Sequence, residues 1–234
     1  MKSGRASNFV ISFILKIFIP SVFIFSSCNI EMEDFIYPSN EVVKLYTSPK
    51  FDLYSFKKIA VAPMMNDDTT DTGTFYATNH FINELESKFG AINFFIPSYH
   101  DSTDSDSLTI RIAESIEKDK HLDLKSFYET DLGNAIMKEN ADAVFIGIVT
   151  DFYSSLGYSY SKSRRFYPAT LTKCEFTYYL ISLKDGRVLW RAVISASEGY
   201  YLLLPKVKYP PLDLAISNGI DQMIEKLPFQ KSSD

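Results

Sequence analysis

The run ADAVFIGIVTDF over residues 141–152 constrains the fold of this chain more than any other segment. It is β-branched and apolar, and Gly147 is its only breaker, so it reads as a strand rather than a helix. Shorter runs repeat the pattern. KKIAVAP (57–63) is an apolar strand closed by Pro63, and AINFFI (91–96) is another, closed by Pro97. LTKCEFTYYLISL (171–183) alternates, which places Cys174, Phe176, Tyr178 and Leu180 on one face. Asp185-Gly186 is a hairpin signal leading into a strand over 187–198. Helical spacing predicts helices over 75–89, with Phe81, Ile82, Leu85 and Phe89 on one side, and near 108–119, 123–139 and 211–227. The first half alternates strand and helix, which favours parallel pairing; the second is a meander closed by a tight turn. The expected fold is α/β (α+β): a mixed β-sheet of about five strands with helices packed on it.

The N-terminus obeys different rules. MKSGRAS carries Lys2 and Arg5 and no acid, and an apolar run follows that stops at Ser26, Ser27 and Cys28. Lys16 and Pro20 interrupt the run, which leaves it short of the ~20 clean apolar residues of a spanning helix. A basic start, a short apolar stretch and small residues at its end make a secretory signal peptide. The block FIFSSC resembles a bacterial lipobox, with Phe25 in place of the usual Leu. That resemblance implies cleavage before Cys28, acylation of its thiol, and, with Asn29 following, an outer-membrane address. More than one acyl chain on a single residue anchors stably. The expected organisation is a signal peptide over 1–27, a lipidated tether over 28–52 and a single domain over 53–230.

Removing residues 1–27 takes away three basic side chains and no acid, and moves the formal charge from −5 to −8. Such a chain lacks the basic face that nucleic acid requires and gains nothing overall from anionic headgroups. With Cys28 committed to lipid, Cys174 has no disulfide partner and reads as a small buried hydrophobe.

Three segments carry a family resemblance: KKIAVAPM followed by Asn66 and a polar loop, ENADAVFIGIVTDF, and TYYLISLKDGRVLWRAVISAS. They resemble extracytoplasmic lipoproteins of the curli-secretion (CsgG-like) superfamily, and related domains in penicillin-binding-protein activators and the N-terminal domain of TolB. The matching positions are Ala141, Asp142, Ala143 and Gly147, then Asp185, Gly186, Val188, Leu189 and Trp190. The likeness spans roughly residues 57–227. It implies a non-enzymatic outer-membrane lipoprotein that assembles or activates other machinery, with an oligomeric secretion or transport channel component as the alternative. Asp185-Gly186 would serve a hairpin, with Trp190 packing under it.

The residues themselves suggest no enzyme, metal or cofactor. His80, His100 and His121 have no ligand spacing, and no nucleophile pairs with a base. The acid runs Asp67, Asp68, Asp71 and Asp101, Asp104, Asp106 lack the Gly-and-Glu frame of a calcium loop. Residues 150–183 form the best candidate hairpin, but the apolar alternation of a spanning strand is missing from its first arm, so no autonomous pore is expected. That arm carries Tyr158, Tyr160, Arg164, Arg165, Phe166 and Tyr167, a candidate interaction surface of residue types that interfaces favour. It reads equally as a hairpin that packs its tyrosines on its own sheet. The expected partners are the lipid bilayer, through acylated Cys28, and an envelope protein or a second copy of the chain.

Overall fold

The computed structural model describes residues 38–65, 73–98, 115–116, 120–160, 166–201 and 207–229. All of them belong to one compact unit, Asp34–Asp234. In chain order the elements are β1 (Glu41–Thr47), a 3-10 turn (Phe51–Leu53), β2 (Lys58–Val61), α1 (Gly73–Lys88), β3 (Asn93–Phe95), α2 (Leu124–Tyr128), α3 (Asp131–Lys138), β4 (Ala143–Tyr160), β5 (Phe166–Ser182), β6 (Val188–Tyr201) and α4 (Leu212–Ile224). The strands form one sheet in the order β1-β6-β5-β4-β2-β3. β2 runs parallel to β3 and β4, and every other pairing is antiparallel. This is the expected α+β architecture, with six strands and, among the described residues, four helices.

Alternation sorts the side chains into two cores. Phe145, Phe176, Tyr178, Leu180 and Trp190 face α1 and α4, where they meet Phe81, Leu85, Ile216 and Ile220. Val144, Ile146, Tyr179 and Ile181 face α2 and α3, packing on Phe127, Leu132 and Ile136. Trp190 lies fully buried, edge-on to Phe145 with ring centroids 6.4 Å apart. Such aromatic pairs contribute about 0.5–1.5 kcal/mol beyond the area they bury.

Three local departures from the sequence reading have physical causes. The helix expected over 123–139 is two helices, because the Thr130 hydroxyl accepts from the Gly133 amide at 2.9 Å and starts a new helix there. β1 lies within the segment read as tether. It closes the sheet edge against β6, with a register shift between Val42 and Lys44. β4 also runs past the expected end at 152, to Tyr160. The helix expected near 108–119 lies mostly outside the described residues; Ser115 and Ile116 are helical.

Candidate functional site

β4 (18 residues) and β5 (17 residues) are far longer than β2 (4 residues), so their outer halves extend beyond the helix-covered sheet. β2 pairs with β4 only up to Val61↔Phe145, with one further bridge at Met65↔Ile148. The β4–β5 register shifts between Val149 and Asp151, and this exchanges the faces of everything beyond. On the α4 side the pairs become Phe152↔Cys174, Ser154↔Thr172 and Leu156↔Thr170; on the other, Tyr153↔Lys173, Ser155↔Leu171 and Gly157↔Ala169. β6 accompanies β5 to Ala169↔Tyr201, which makes the distal end three strands wide.

Two chain segments pack on this distal end. On the α4 side, Thr170 Oγ1 donates to the Lys208 carbonyl and Thr172 Oγ1 to the Pro210 carbonyl, both at 2.6 Å. They fix the approach to α4 and hold Val207 and Tyr209 at the surface, 53% and 42% exposed. On the opposite side the N-terminal segment crosses β6. The Ser39 amide donates to Ser197 Oγ at 2.7 Å, that hydroxyl donates back to the Ser39 carbonyl at 2.9 Å, and the Ser197 amide donates to Asn40 Oδ1 at 3.0 Å. Pro38 seats on Gly199 so closely that a Cβ there would lie 2.9 Å from Pro38 Cγ. Phe152 and Tyr153, just beyond the register shift at the middle of β4, are 46% and 40% exposed. The site is therefore a strand platform carrying exposed aromatics, beside the entry point of the N-terminal chain.

The residues singled out by sequence distribute unevenly. Tyr158, Tyr160, Phe166 and Tyr167 occupy the last hairpin rungs, Tyr158↔Pro168, Ser159↔Tyr167 and Tyr160↔Phe166. Arg164, Arg165 and Cys28 lie outside the described residues, as do both acid runs and His100. Asp185 and Gly186 form the tight turn at the other end of the sheet, where Gly186 takes φ 69° and its amide donates to the Ser182 carbonyl at 2.9 Å. Trp190 sits in the α1/α4 core near Phe145. Sequence reasoning missed residues 38–40 and 207–210 as parts of this end. The available signal was a run of small and hydroxyl residues in β5 and β6 (Ala169, Thr170, Thr172, Ser197, Gly199), which leaves room for backbone to lie on a strand.

Titratable groups elsewhere are tied into local structure. Burial pushes the Cys174 thiol up to about 12, so it stays protonated at neutral pH. Burial also opposes ionisation of Asp185. Hydrogen bonds from Tyr54 (2.7 Å), Ser182 and the Arg187 amide, with the charge of Arg187, still hold its carboxyl below the usual range. The Tyr54 hydroxyl is correspondingly raised, by burial first and by the Asp185 carboxylate second. His80 Nε2 lies 2.8 Å from Asp221 Oδ1, linking α1 to α4. Among the described residues no group of three or more His, Cys, Asp or Glu side chains could hold a metal ion, and no helix is long and apolar enough to cross a membrane.

No protein-family model and no curated protein matches the chain. Among solved structures it is similar to the PelC dodecamer from Paraburkholderia phytofirmans, at 17% identity over 80% of this chain and 94% of that one, with a TM-score of 0.41. It is similar to lipoprotein GNA1162 from Neisseria meningitidis, at 16% identity over 73% of this chain and 99% of that one, TM-score 0.38. It is similar also to a minor lipoprotein from Acinetobacter baumannii, at 9% identity over 77% of this chain and 98% of that one, TM-score 0.36. Likenesses this distant carry no argument about chemistry.

Proposed function

We propose that this chain is a non-catalytic lipoprotein of the bacterial outer membrane, anchored through acylated Cys28. Its domain acts as an assembly or accessory subunit of an envelope complex, of the CsgG-like kind that the sequence resembles. The carrying observation is the apolar run that ends at Ser26, Ser27 and Cys28, ten residues before the chain joins the sheet at Pro38. Tethering of this kind confines the domain to a surface and raises its effective concentration for a partner there. Replacing Cys28 with Ser is expected to shift the protein from the membrane to the soluble extracytoplasmic fraction. Membrane association that survives the substitution, or native protein whose mass still includes Met1, refutes the anchor. For the accessory role, crosslinking in intact cells should recover an envelope protein.

The length of the β4–β5 hairpin favours a second reading, an oligomeric secretion or transport component. Native mass spectrometry in detergent separates the two. A ring of defined stoichiometry supports the channel component, and a monomer the accessory subunit.

A further inference from the structure

We infer that copies of this chain associate head to tail, with β1 of one copy lying along the open edge of β4 (Asp151–Ser154) in the next. The inference rests on the oligomeric reading above and names the two surfaces that meet.

Both surfaces are strand edges. β1 ends the sheet, with β6 on one side and, among the described residues, no strand on the other. β2 leaves β4 after the Met65↔Ile148 bridge. Beyond it no described strand pairs with β4 on that side over Asp151–Ser154, and all four residues are exposed. An unpaired edge is a template for another strand, and monomers blunt it with proline, lysine or a very short strand. The β3 edge is blunted in this way, by a strand of three residues with Pro97 just beyond it. β4 has neither proline nor lysine over Thr150–Ser155. Among the described residues, the exposed large hydrophobic side chains on strands are Val43, Leu45, Phe152 and Tyr153, a pair on each of these two edges.

The two edges are complementary. Within one copy β1 is antiparallel to β6, β6 to β5 and β5 to β4, so β1 runs antiparallel to β4. A second copy beside the first, with strands and faces in the same sense, therefore extends the sheet by an antiparallel ladder of the kind it already has. Leu45 lies opposite Ala192 and Phe152 opposite Cys174, both in the α1/α4 core. Lys44 lies opposite Val193 and Asp151 opposite Glu175, which alternate with residues of that core and so face the other way. A lysine thus meets an aspartate on one face, and a leucine meets a phenylalanine on the other. Opposite-charge and apolar cross-strand pairs both stabilise a ladder. Two different surfaces joined in this way make a heterologous interface, which closes into a ring or continues as a filament.

Disulfide trapping in full-length protein, purified in detergent, tests the pairing. Inside one chain, three strand spacings of about 4.8 Å keep Leu45 and Phe152 roughly 14 Å apart before their offset along the strands is counted, which is beyond disulfide reach. Leu45→Cys co-expressed with a differently tagged Phe152→Cys should give a mixed covalent dimer on oxidation, and neither should do so alone. The double variant should form a ladder of covalent oligomers. Wild type controls for Cys28 and for the buried Cys174. Lys44→Asp should lower the trapped fraction of the double variant about two- to fivefold, and adding Asp151→Lys should restore it. Lys44→Cys with Asp151→Cys supplies a second pair on the other face should the first fail to fold. Trapping of a single variant with itself at the yield of the mixture means a two-fold contact and overturns the head-to-tail pairing. Native mass spectrometry of wild type separates the two failures. Defined oligomers without trapping at either pair refute this interface and leave the oligomeric reading standing, whereas a monomer refutes both.

Discussion

Replacing Gly147 with Ala tests the packing that holds the central strand against the α1 face. Gly147 lies directly opposite Tyr178. A Cβ at Gly147 would fall 2.6 Å from Tyr178 Cε1 and 2.7 Å from Cζ. Carbon atoms pack comfortably at about 3.5–4.0 Å, so one of the two must move by roughly an ångström. Neither has room. The Tyr178 ring is fully buried, 4.5 Å centroid-to-centroid from Phe81 and edge-on to Phe176 at 6.1 Å. Overpacking of this kind costs about 1–3 kcal/mol. The stiffer alanine backbone recovers roughly 0.5–1 kcal/mol at most. The expected net effect is destabilisation by about 1–2 kcal/mol, or roughly 2–8 °C in melting temperature for a domain of this size. Denaturant unfolding followed by near-UV circular dichroism reads it. A double-mutant cycle makes the cause specific. In a Tyr178→Leu background the ring is gone, and Gly147→Ala should lose most of its cost, giving a coupling energy of about 1–2 kcal/mol. Equal costs in the two backgrounds, or a stabilising Gly147→Ala in the parent, would refute the clash.

Other outcomes follow from the same cores. The Tyr178 hydroxyl is buried with no hydrogen-bond partner among the described residues, so Tyr178→Phe should leave stability unchanged or raise it by about 1 kcal/mol, measured by denaturant midpoint. Cys174 ordinarily ionises near 9.0, whereas burial in the fold pushes it to about 12. The unfolded chain can therefore lose that proton where the folded one cannot. The contribution is whole below pH 9 and erodes toward pH 12 by about 1.4 kcal/mol per unit, so wild type should lose stability between pH 9 and 11 more steeply than Cys174→Ala. Ser197→Ala removes both hydroxyl bonds to the Ser39 backbone, and amide exchange at residues 39–41 should accelerate while the β4–β5 core stays protected.

The parts of this fold legible in the sequence are those whose side chains are buried in the two cores. Cys174, Phe176, Tyr178 and Leu180 alternate because β5 lies between a covered and a differently covered face, and all four point into the α1/α4 core. The helix over 73–88 was readable from Phe81, Leu85 and Phe89 for the same reason. β1 was illegible because an edge strand with both faces largely open has no periodic hydrophobic set. Glu41, Val43, Lys44 and Leu45 are all exposed, and the register shift at Val42 and Lys44 breaks what alternation there is. The end of β4 was missed through the register shift at Val149 and Asp151, which moves apolar residues to the opposite parity. A pattern followed from Ala143 stops making sense at that point, although the strand continues.

The same shift explains why the candidate site was only partly visible. Before it, β4 is read by helices, and each side chain is chosen for a core. After it, β4 is exposed over Asp151–Ser154, and its neighbours meet chain rather than helix: residues 207–210 on β5 and 38–40 on β6. Extended backbone satisfies its carbonyls and amides by bonding to side chains on the strand below, so Thr170, Thr172 and Ser197 stand at positions where a core would place Val or Ile. Gly199 gives up its side chain to let Pro38 approach. A hydroxyl- and glycine-rich strand reads as weak or exposed when only hydrophobic period is scored. Here it marks the row at which the N-terminal chain is clamped, through Ser39 and Asn40 on Ser197 and Pro38 on Gly199.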